Sequence, residues 1–366
     1  MRSVGVEEEL LLVDPRTGEP RALSTAVLAA AARQNEGRAH AFTKELQSHQ
    51  LEFGTRPQTA MAELAADIER CRAEAAAFAA EAGAAVVALA TSPLPVRPAL
   101  TEDERYRWIH EHFGLTAREQ LTCGCHVHVS VTSDEEGVGV LDRVRPWLPV
   151  LLALSVNSPF WQGDDSGYAS YRSRVWNRWP SAGPVELFGS AAGYHQQVRD
   201  LLSTGVLHDE GMVYFDARLS SRYPTVEIRA ADVCLDASTT VLVATLVRAL
   251  VDTAAREWRE GRPPARHGIG LLRAASWRAG RSGLDGELIH PATMRPAPAE
   301  RVVQALLHHV EAALDDNGDL PHARKALDDL MSGGTGAHVQ RRLLRRHGDL
   351  GAVVAECVRR TQEGVR

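Results

Sequence analysis

Val4-Gly5-Val6-Glu7-Glu8-Glu9-Leu10-Leu11, near the start of a chain of 366 residues, has the alternation of a β-strand. Side chains two positions apart share one face of a strand, so Glu7 and Glu9 point to one face and Glu8 points to the other. Two adjacent carboxylates repel each other, and a hard divalent cation with oxygen ligands is the simplest partner for both. An exposed strand end is the alternative interpretation of the same residues.

A second acidic segment, Glu45-Leu46-Gln47-Ser48-His49-Gln50-Leu51-Glu52, also contains two carboxylates that could serve one site. Seven positions separate Glu45 from Glu52, and an odd spacing puts two side chains on opposite faces of a regular strand. A joint role therefore requires a bend or bulge between them, which we expect near Ser48.

The segment Cys123-Gly124-Cys125-His126-Val127-His128-Val129 predicts a strand with His126 and His128 on one face and an apolar opposite face. Two histidines at this spacing occur in zinc sites, so a zinc hydrolase remains an alternative, as does a pair of ordinary sheet histidines. The cysteines lie on the other face, and we interpret them as small buried hydrophobic residues.

A late strand, Thr225-Val226-Glu227-Ile228-Arg229-Ala230-Ala231-Asp232, places Glu227 and Arg229 on one face. A structural ion pair would explain these two residues alone. Together, however, the four segments would give one sheet surface far more charge than a core face tolerates. Carboxylates, an imidazole and an arginine match the requirements of ATP, whose phosphates take oxygen-bound Mg²⁺ or Mn²⁺ and a guanidinium.

The hydrophobic periodicity predicts an α+β fold, and a length of 366 residues allows one large domain or two ordinary ones. Strands are expected at about 3–13, 43–54, 84–90, 121–132, 211–219 and 224–233. Helices are expected at about 58–82, 101–113, 139–156, 237–260, 298–315 and 335–361, the last with a break. From about residue 237 the chain should be almost wholly helical and cover one face of the sheet.

The composition of the chain argues against several classes of protein. The net charge is −6, which does not favour a nucleic-acid binder. The only lysines are Lys44 and Lys325, and neither lies in a P-loop or a kinase lysine motif. The five scattered cysteines indicate a reducing compartment, and the acidic N-terminal segment is unlike a signal peptide, so we expect a cytoplasmic protein. The most apolar run, 147–156, is too short to cross a bilayer, so we expect no transmembrane span.

The longest stretch without a clear period is 157–184, which is rich in aromatic residues and arginines. The aromatic side chains could anchor this loop on the body of the protein. Arginines such as Arg172 and Arg174 would equally suit a loop that closes over an anionic ligand.

The ordered set of motifs resembles the carboxylate-amine ligases of the glutamate-cysteine ligase type 2 family. The resemblance is carried by Gly5–Glu9, Glu45–Glu52, Gly124–His128, Gly167–Trp176 with the following Arg178-Trp179-Pro180, and Thr225–Asp232, and it spans nearly the whole chain. It implies a single domain over residues 1–366 with a fold like the glutamine synthetase catalytic domain. That fold has a curved, largely antiparallel sheet, ATP and metal on its concave face, and helices behind.

The resemblance also implies roles for individual residues. Two or three Mg²⁺ or Mn²⁺ ions would be shared by Glu7, Glu9, Glu45, Glu52, His126 and Glu227. Arg229 would contact the phosphates of ATP, and Arg172 and Arg174 would bind the acid substrate or the γ-phosphate. Asp216 and Arg218, on the strand before Glu227, could also face the site.

The implied reaction joins an acid, with glutamate the leading candidate, to an amine through an acyl phosphate, with release of ADP and phosphate. The family does not fix either substrate. A Pup-ligase-like enzyme that modifies proteins, a zinc-dependent amide hydrolase and a non-catalytic nucleotide-binding protein remain alternatives. The resemblance implies a homodimer, although the amphipathic C-terminal helices could equally pack on their own sheet. The acidic net charge and the short apolar run lead us to expect no nucleic-acid or membrane partner.

Overall fold

The computed structural model describes residues 1–34 and 42–363. The strands are β1 Val4–Val13, β2 Phe42–Lys44, β3 Gln50–Gly54, β4 Ala85–Val87, β5 Gly124–Ser130, β6 Phe160–Trp161, β7 Asp164–Asp165, β8 Ala217–Leu219, β9 Thr225–Asp232, β10 Glu287–His290 and β11 Arg295–Pro298. The first helices are α1 Ser24–Gln34, α2 Met61–Glu81, α3 Glu104–Phe113, α4 Leu115–Arg118, α5 Asp134–Val144, α6 Leu148–Ser155 and α7 Arg172–Trp176. The later helices are α8 Ala191–Ser203, α9 Ala237–Arg259, α10 Ile269–Ser282, α11 Ala299–Asp316, α12 Leu320–Gly333, α13 Gly336–His347 and α14 Leu350–Thr361.

The main sheet has the strand order β2-β3-β1-β5-β9-β8, with β4 paired to β1 off this path. All of its pairings are antiparallel. The central strand β1 sets Glu9 directly opposite Glu52 on β3 and Glu7 opposite His126 on β5. The next pairing sets His128 opposite Glu227 on β9. The pairing register therefore brings the polar residues of four separate segments onto neighbouring strands.

A buried ion pair attaches the other face of β1 to the helices behind it. Glu8 is fully buried and accepts two 2.8 Å hydrogen bonds from the guanidinium of Arg72 on α2. Thr240 on α9 donates a third hydrogen bond of 2.6 Å to Glu8. Arg72 also donates to the main-chain carbonyls of Cys234 and Leu235, so its charge and its donors are satisfied inside the core.

Two apolar clusters surround the sheet. The larger cluster joins β5 and β9 to α5, α6, α9 and α11. The smaller cluster buries Leu10–Val13 against α1, β4 and α14. Because consecutive residues of β1 are buried here, both faces of the sheet are covered beyond Glu9, and the accessible polar face lies toward the start of β1.

Helix α9 is long and apolar enough to span a membrane by length and composition, but 72% of its most apolar window is buried inside the structure. It contacts α2, α5, α11 and α12. That burial is typical of the central helix of a packed core. The expectation of no transmembrane span stays a prediction.

Several element boundaries differ from the sequence-based expectation. The predicted strand 43–54 is two strands separated by a turn, and the predicted strand 211–219 reduces to Ala217–Leu219. The stretch after residue 237 is not wholly helical, because β10 and β11 form a hairpin. Short polar hairpins of this kind have too little periodicity to stand out beside helices.

The predicted loop 157–184 contains α7 and the small β6–β7 hairpin. The predicted break in the last helix occurs at Gly348, whose φ of 70° ends α13.

Replacing Glu8 with Gln should reduce the free energy of unfolding by about 3 kcal/mol, because Arg72 would remain buried without its counter-charge. Urea unfolding of the two proteins at neutral pH measures this difference. The matched control is Asp329→Asn, which breaks the exposed helical pair with Lys325 and should leave the unfolding free energy nearly unchanged. Equal stability of the Glu8→Gln variant and the wild type would show that the pair does not hold β1 in place.

Candidate active site

Glu7 and Glu9 on β1 and the two histidines of β5 form the centre of the polar face. Glu7 lies between the two rings, with its carboxylate oxygens 3.4 Å from His126 Nδ1 and 3.3 Å from His128 Nε2. Glu9 accepts a 2.6 Å hydrogen bond from the main-chain N–H of Gly124 and lies 4.0 Å from His126 Nε2. The cross-strand register alone produces this arrangement.

The second acidic segment reaches the same face because the chain bends where the sequence predicted a bend. β2 ends at Lys44 and β3 begins at Gln50, and a turn lies between them. Thr43 therefore pairs with Glu52 and donates a 2.8 Å hydrogen bond to its carboxylate. The carboxylates of Glu9, Glu45 and Glu52 come close enough to share one ion.

This part of the site carries an excess of negative charge. Burial, together with the charge of Glu9, raises the pKa of Glu45 to about 7. Burial and the charges of Glu45, Glu7 and Glu9 also raise the pKa of Glu52 well above its usual value. Like charges directly opposite each other on neighbouring strands are unfavourable, so the cluster has a strong electrostatic demand for a cation.

The donor set fits a divalent metal ion. Among residues 1–34 and 42–363, three groups have ligand atoms within 4.8 Å of one another: Glu7, His128 and Glu227; Glu7, Glu52 and His126; and Glu9, Glu45 and Glu52. All six residues predicted as metal ligands are in these groups, and His128 joins them. His126 Nε2 is buried and has no hydrogen-bond partner within the described part of the chain. Carboxylates with a minority of imidazole suit Mg²⁺ or Mn²⁺.

Glu227 is buried and paired with two arginines. Arg218 donates to both of its oxygens at 2.7 and 3.2 Å, and Arg229 Nη1 contacts Oε1. Burial opposes ionisation of this carboxyl, yet the charges of Arg229 and Arg218 hold the pKa of Glu227 well below its usual range. Glu227, a predicted metal ligand, is therefore in direct contact with Arg229, which is predicted to bind the phosphates. Arg218 faces the site beside them.

Arginines gather around Trp176, next to β9. The guanidinium groups of Arg172 and Arg229 lie 5.7 and 5.8 Å from the centre of its ring. The Nε atoms of Arg172, Arg174 and Arg229 are buried and have no hydrogen-bond partner among residues 1–34 and 42–363. Unsatisfied guanidinium donors in a buried position are suited to an anionic ligand.

Asp216 lies beside these arginines, since its carbonyl accepts a 2.9 Å hydrogen bond from the main-chain N–H of Arg229. Burial raises the pKa of Asp216 to about 6, against the opposing charges of Arg172, Arg174 and Arg273. Arg273 comes from α10 and was not among the predicted site residues. It is an exposed arginine on a helix without a motif, so no local signal could have found it.

Gly124 is a second residue whose role the sequence did not reveal. A Cβ at this position would contact the guanidinium of Arg172 and would lie 3.1 Å from His126 Nε2. A glycine inside a strand signals a close approach of this kind, but the sequence does not say what approaches.

A cavity of about 670 Å³ opens next to Glu45 and Glu52. Its polar lining includes Lys44, Tyr106 and Arg222, and residues of α1 form an apolar wall. A space of this size accommodates a small substrate or part of a nucleotide.

Comparison with known proteins defines a class of enzyme, the ATP-dependent ligases that form carbon–nitrogen bonds. The chain belongs to glutamate-cysteine ligase family 2, because the model of that family matches residues 3–356. The family predicted from the ordered motifs is thereby confirmed, and so is the predicted class of enzyme.

Relatives from two Streptomyces species match along 99% of the chain. A Streptomyces avermitilis protein, named as a candidate glutamate–cysteine ligase 2-1, is 64% identical over 99% of this chain and 100% of its own length. A Streptomyces coelicolor protein, named as a candidate glutamate–cysteine ligase 2, is 64% identical over 99% of each chain.

Solved structures confirm the predicted α+β fold class. A Francisella tularensis glutamate–cysteine ligase in complex with AMP has a TM-score of 0.68 at 12% identity, over 99% of this chain and 88% of that one. A bifunctional glutathione synthetase from Pasteurella multocida also has a TM-score of 0.68, at 15% identity, over 99% of this chain and 52% of that one. A complex of the protein Pup with its ligase has a TM-score of 0.53 at 12% identity, over 94% of this chain and 68% of that one.

Glu52→Gln should weaken Mn²⁺ binding by at least about tenfold, because it removes one carboxylate from two of the three donor groups. The affinity of the wild type should rise from pH 6 to pH 8, since the raised pKa of Glu45 means that a proton must leave before a cation binds. Electron paramagnetic resonance of free Mn²⁺ without nucleotide measures both effects.

The matched control is Glu311→Gln on the surface of α11, which should bind Mn²⁺ as the wild type does. Equal affinities of all three proteins would remove Glu52 from the proposed metal site.

Proposed function

We propose that the protein uses ATP to join the carboxylate of an amino acid, glutamate in the first instance, to an amine. The observation that carries this proposal is the division of charge on one sheet face, with carboxylates toward β3 and arginines toward β8. The predicted cofactors, ATP with Mg²⁺ or Mn²⁺, need both halves of that arrangement. The AMP bound to the Francisella tularensis ligase supports the nucleotide.

The reaction begins when a substrate carboxylate attacks the γ-phosphorus of ATP, which gives an acyl phosphate and ADP. An amine then displaces phosphate and leaves an amide. Activation is required because a carboxylate is a poor electrophile. Bound Mg²⁺ or Mn²⁺ would neutralise the phosphate oxygens and so lower the barrier to attack.

This chain supplies the positive charge for phosphoryl transfer through Arg229 and Arg172. Both guanidinium groups are held against Trp176, and both have an unsatisfied buried Nε. Fixed donors of this kind stabilise developing charge without a reorganisation cost at the moment of reaction. Glu227 holds Arg229 and Arg218 in place through its two oxygens.

The surroundings of Asp216 support an α-amino acid as the acid substrate. Arg174 and Arg273 offer positive charge to a carboxylate, and the Asp216 carboxylate among them offers a partner to an ammonium group. A substrate with an α-carboxylate, an α-ammonium and a second carboxylate to be activated fits these charges. The names of the relatives support glutamate as that acid and cysteine as the amine.

The zinc-hydrolase alternative uses His126 and His128, and Glu7 lies in one donor group with each of them. It predicts hydrolysis without ATP. The Pup-ligase-like alternative predicts a polypeptide substrate, and the non-catalytic alternative predicts nucleotide binding without turnover. Four expectations from the sequence stay predictions: a homodimer, a cytoplasmic location, a single domain, and the absence of nucleic-acid and membrane partners.

Release of ADP and phosphate in the presence of Mg²⁺ or Mn²⁺, with pools of amino acids and amines, tests the proposal. Mass spectrometry of the products should detect a γ-glutamyl amide that forms only when ATP and glutamate are both present. Absence of ATP turnover with every pool, together with tightly bound zinc in the purified protein, would contradict the ligase and favour the hydrolase.

Arg229→Lys should reduce kcat/KM for ATP by about 100-fold, because an ammonium cannot reproduce the planar donors of a guanidinium toward phosphate and Glu227. Steady-state kinetics of ADP release measures the effect. Arg301→Lys, on the exposed side of α11, is the matched control and should keep wild-type kinetics. If Arg229→Lys turned over ATP like the control, its role would be limited to an ion pair with Glu227.

A further inference from the structure

Asp232, the last residue of β9, is a buried carboxylate outside the three groups of described residues that could hold a metal ion. It follows Glu227 by five positions on the same strand and is fully buried. One oxygen accepts hydrogen bonds from the main-chain N–H of Asn157 at 2.9 Å and from the hydroxyl of Ser158 at 2.8 Å. The other oxygen accepts a 2.8 Å hydrogen bond from the hydroxyl of Ser170.

The two serines connect Asp232 to the helix that carries Arg172. The Ser158 hydroxyl oxygen accepts the main-chain N–H of Arg172 at 3.0 Å while its proton points to Asp232. The Ser170 hydroxyl oxygen accepts the main-chain N–H of Ser173 at 3.2 Å in the same manner. The first turn of α7 is therefore attached to Asp232 through two buried hydroxyl groups.

Asp232 also acts on the Arg172 side chain directly. Its Oδ1 lies 3.7 Å from Arg172 Nη1, the one ion pair of Arg172 within the described residues. Both groups are buried, so their attraction is weakly screened by solvent. Arg229 shares the Trp176 ring with Arg172 and is itself paired with Glu227, so Asp232 is the counter-charge of Arg172 among the described residues.

The far side of the Arg172 guanidinium faces the candidate active site. It lies against Gly124, the residue whose N–H binds Glu9 and whose missing side chain leaves room for it. The guanidinium thus extends from Asp232, at the end of the strand, toward the metal-binding carboxylates. Its Nη2 donates to the main-chain carbonyl of Arg229 at 3.5 Å, and its buried Nε has no hydrogen-bond partner among the described residues.

We infer that Asp232 is a positioning residue, which fixes the Arg172 guanidinium to receive the transferred phosphoryl group or the substrate carboxylate without touching either. This inference rests on the proposed function. It assigns to Asp232 a role through Arg172 and no direct contact with substrate.

The structure separates this role from simple attachment of the loop. Asn157 is held independently, because its side chain donates to the carbonyls of Ala88 and Val233. The side chain of Gln340 on α13 donates to both oxygens of Asn157 as well. Asp232→Asn keeps the shape of the residue and an acceptor oxygen, so the loop should stay attached while Arg172 loses its counter-charge.

The first test is a double-mutant cycle on kcat/KM for ADP release. Asp232→Asn should lower kcat/KM by about 100-fold, because a displacement of about 1 Å in a positioning group can cost that much. In an Arg172→Ala background the same substitution should lower kcat/KM by less than about twofold. Independent, multiplicative effects of the two substitutions would overturn the inference.

Two further variants keep the test decisive. Ser158→Ala removes the hydroxyl that links Asp232 to Arg172. It should lower kcat/KM in the wild-type background and have almost no effect on kcat/KM in the Arg172→Ala background. This comparison tests the inference even if Asp232→Asn folds poorly. Asp142→Asn is the matched control, because Asp142 is a buried carboxylate that binds two main-chain N–H groups, those of Phe188 and Gly189. It should leave kcat/KM unchanged.

A crystallographic comparison does not depend on activity. The guanidinium of Arg172 should leave its place beside Gly124 in the Asp232→Asn variant and keep it in the Asp142→Asn variant. An unmoved Arg172 in Asp232→Asn would overturn the inference whatever the kinetics. If the wild type itself released no ADP, the proposed function would fail, and this comparison would still decide whether Asp232 positions Arg172.

Discussion

The ion pair between Glu8 and Arg72 fixes the strand on which the rest of the site depends. A charged side chain in the core is tolerated only with a satisfied partner, so β1 has one favourable orientation, with Glu8 toward α2 and α9. A shift of one residue would bury Glu7 or Glu9 without a partner and expose the apolar face. The same pair that holds the sheet to its helices therefore points two carboxylates at the open face.

The charges on that face are separated rather than neutralised. Toward β3, carboxylates face one another across neighbouring strands and raise each other's pKa, which creates the demand for a cation. Toward β8, arginines gather around Trp176 with donors left over, which creates the demand for an anion. Nucleoside triphosphate with a divalent metal meets both demands at once. Phosphoryl transfer to a carboxylate is a reaction that needs this combination, because negative charge must approach negative charge.

Sequence reasoning found the strands that carry the site because their signal is local. Alternation identified the face of Glu7 and Glu9, and the odd spacing of Glu45 and Glu52 required the turn that the structure contains. It missed Arg273, because an exposed arginine on a helix looks the same whether or not it faces a site. It also missed the contacts that Gly124 and Asp232 make with Arg172, since each of these contacts joins residues that are distant in the chain.

Local patterns in the chain predicted the composition of the site and the face of each strand on which its residues lie, because the period of a strand is a property of the local backbone. The order of the motifs also predicted the family. The contacts between these residues depend on how the strands pair and the loops pack. Pairing register set Glu9 against Glu52 and Glu7 against His126, and loop packing set Arg172 between Asp232 and the site. Those contacts join residues tens to hundreds of positions apart, and no local pattern encodes such distances.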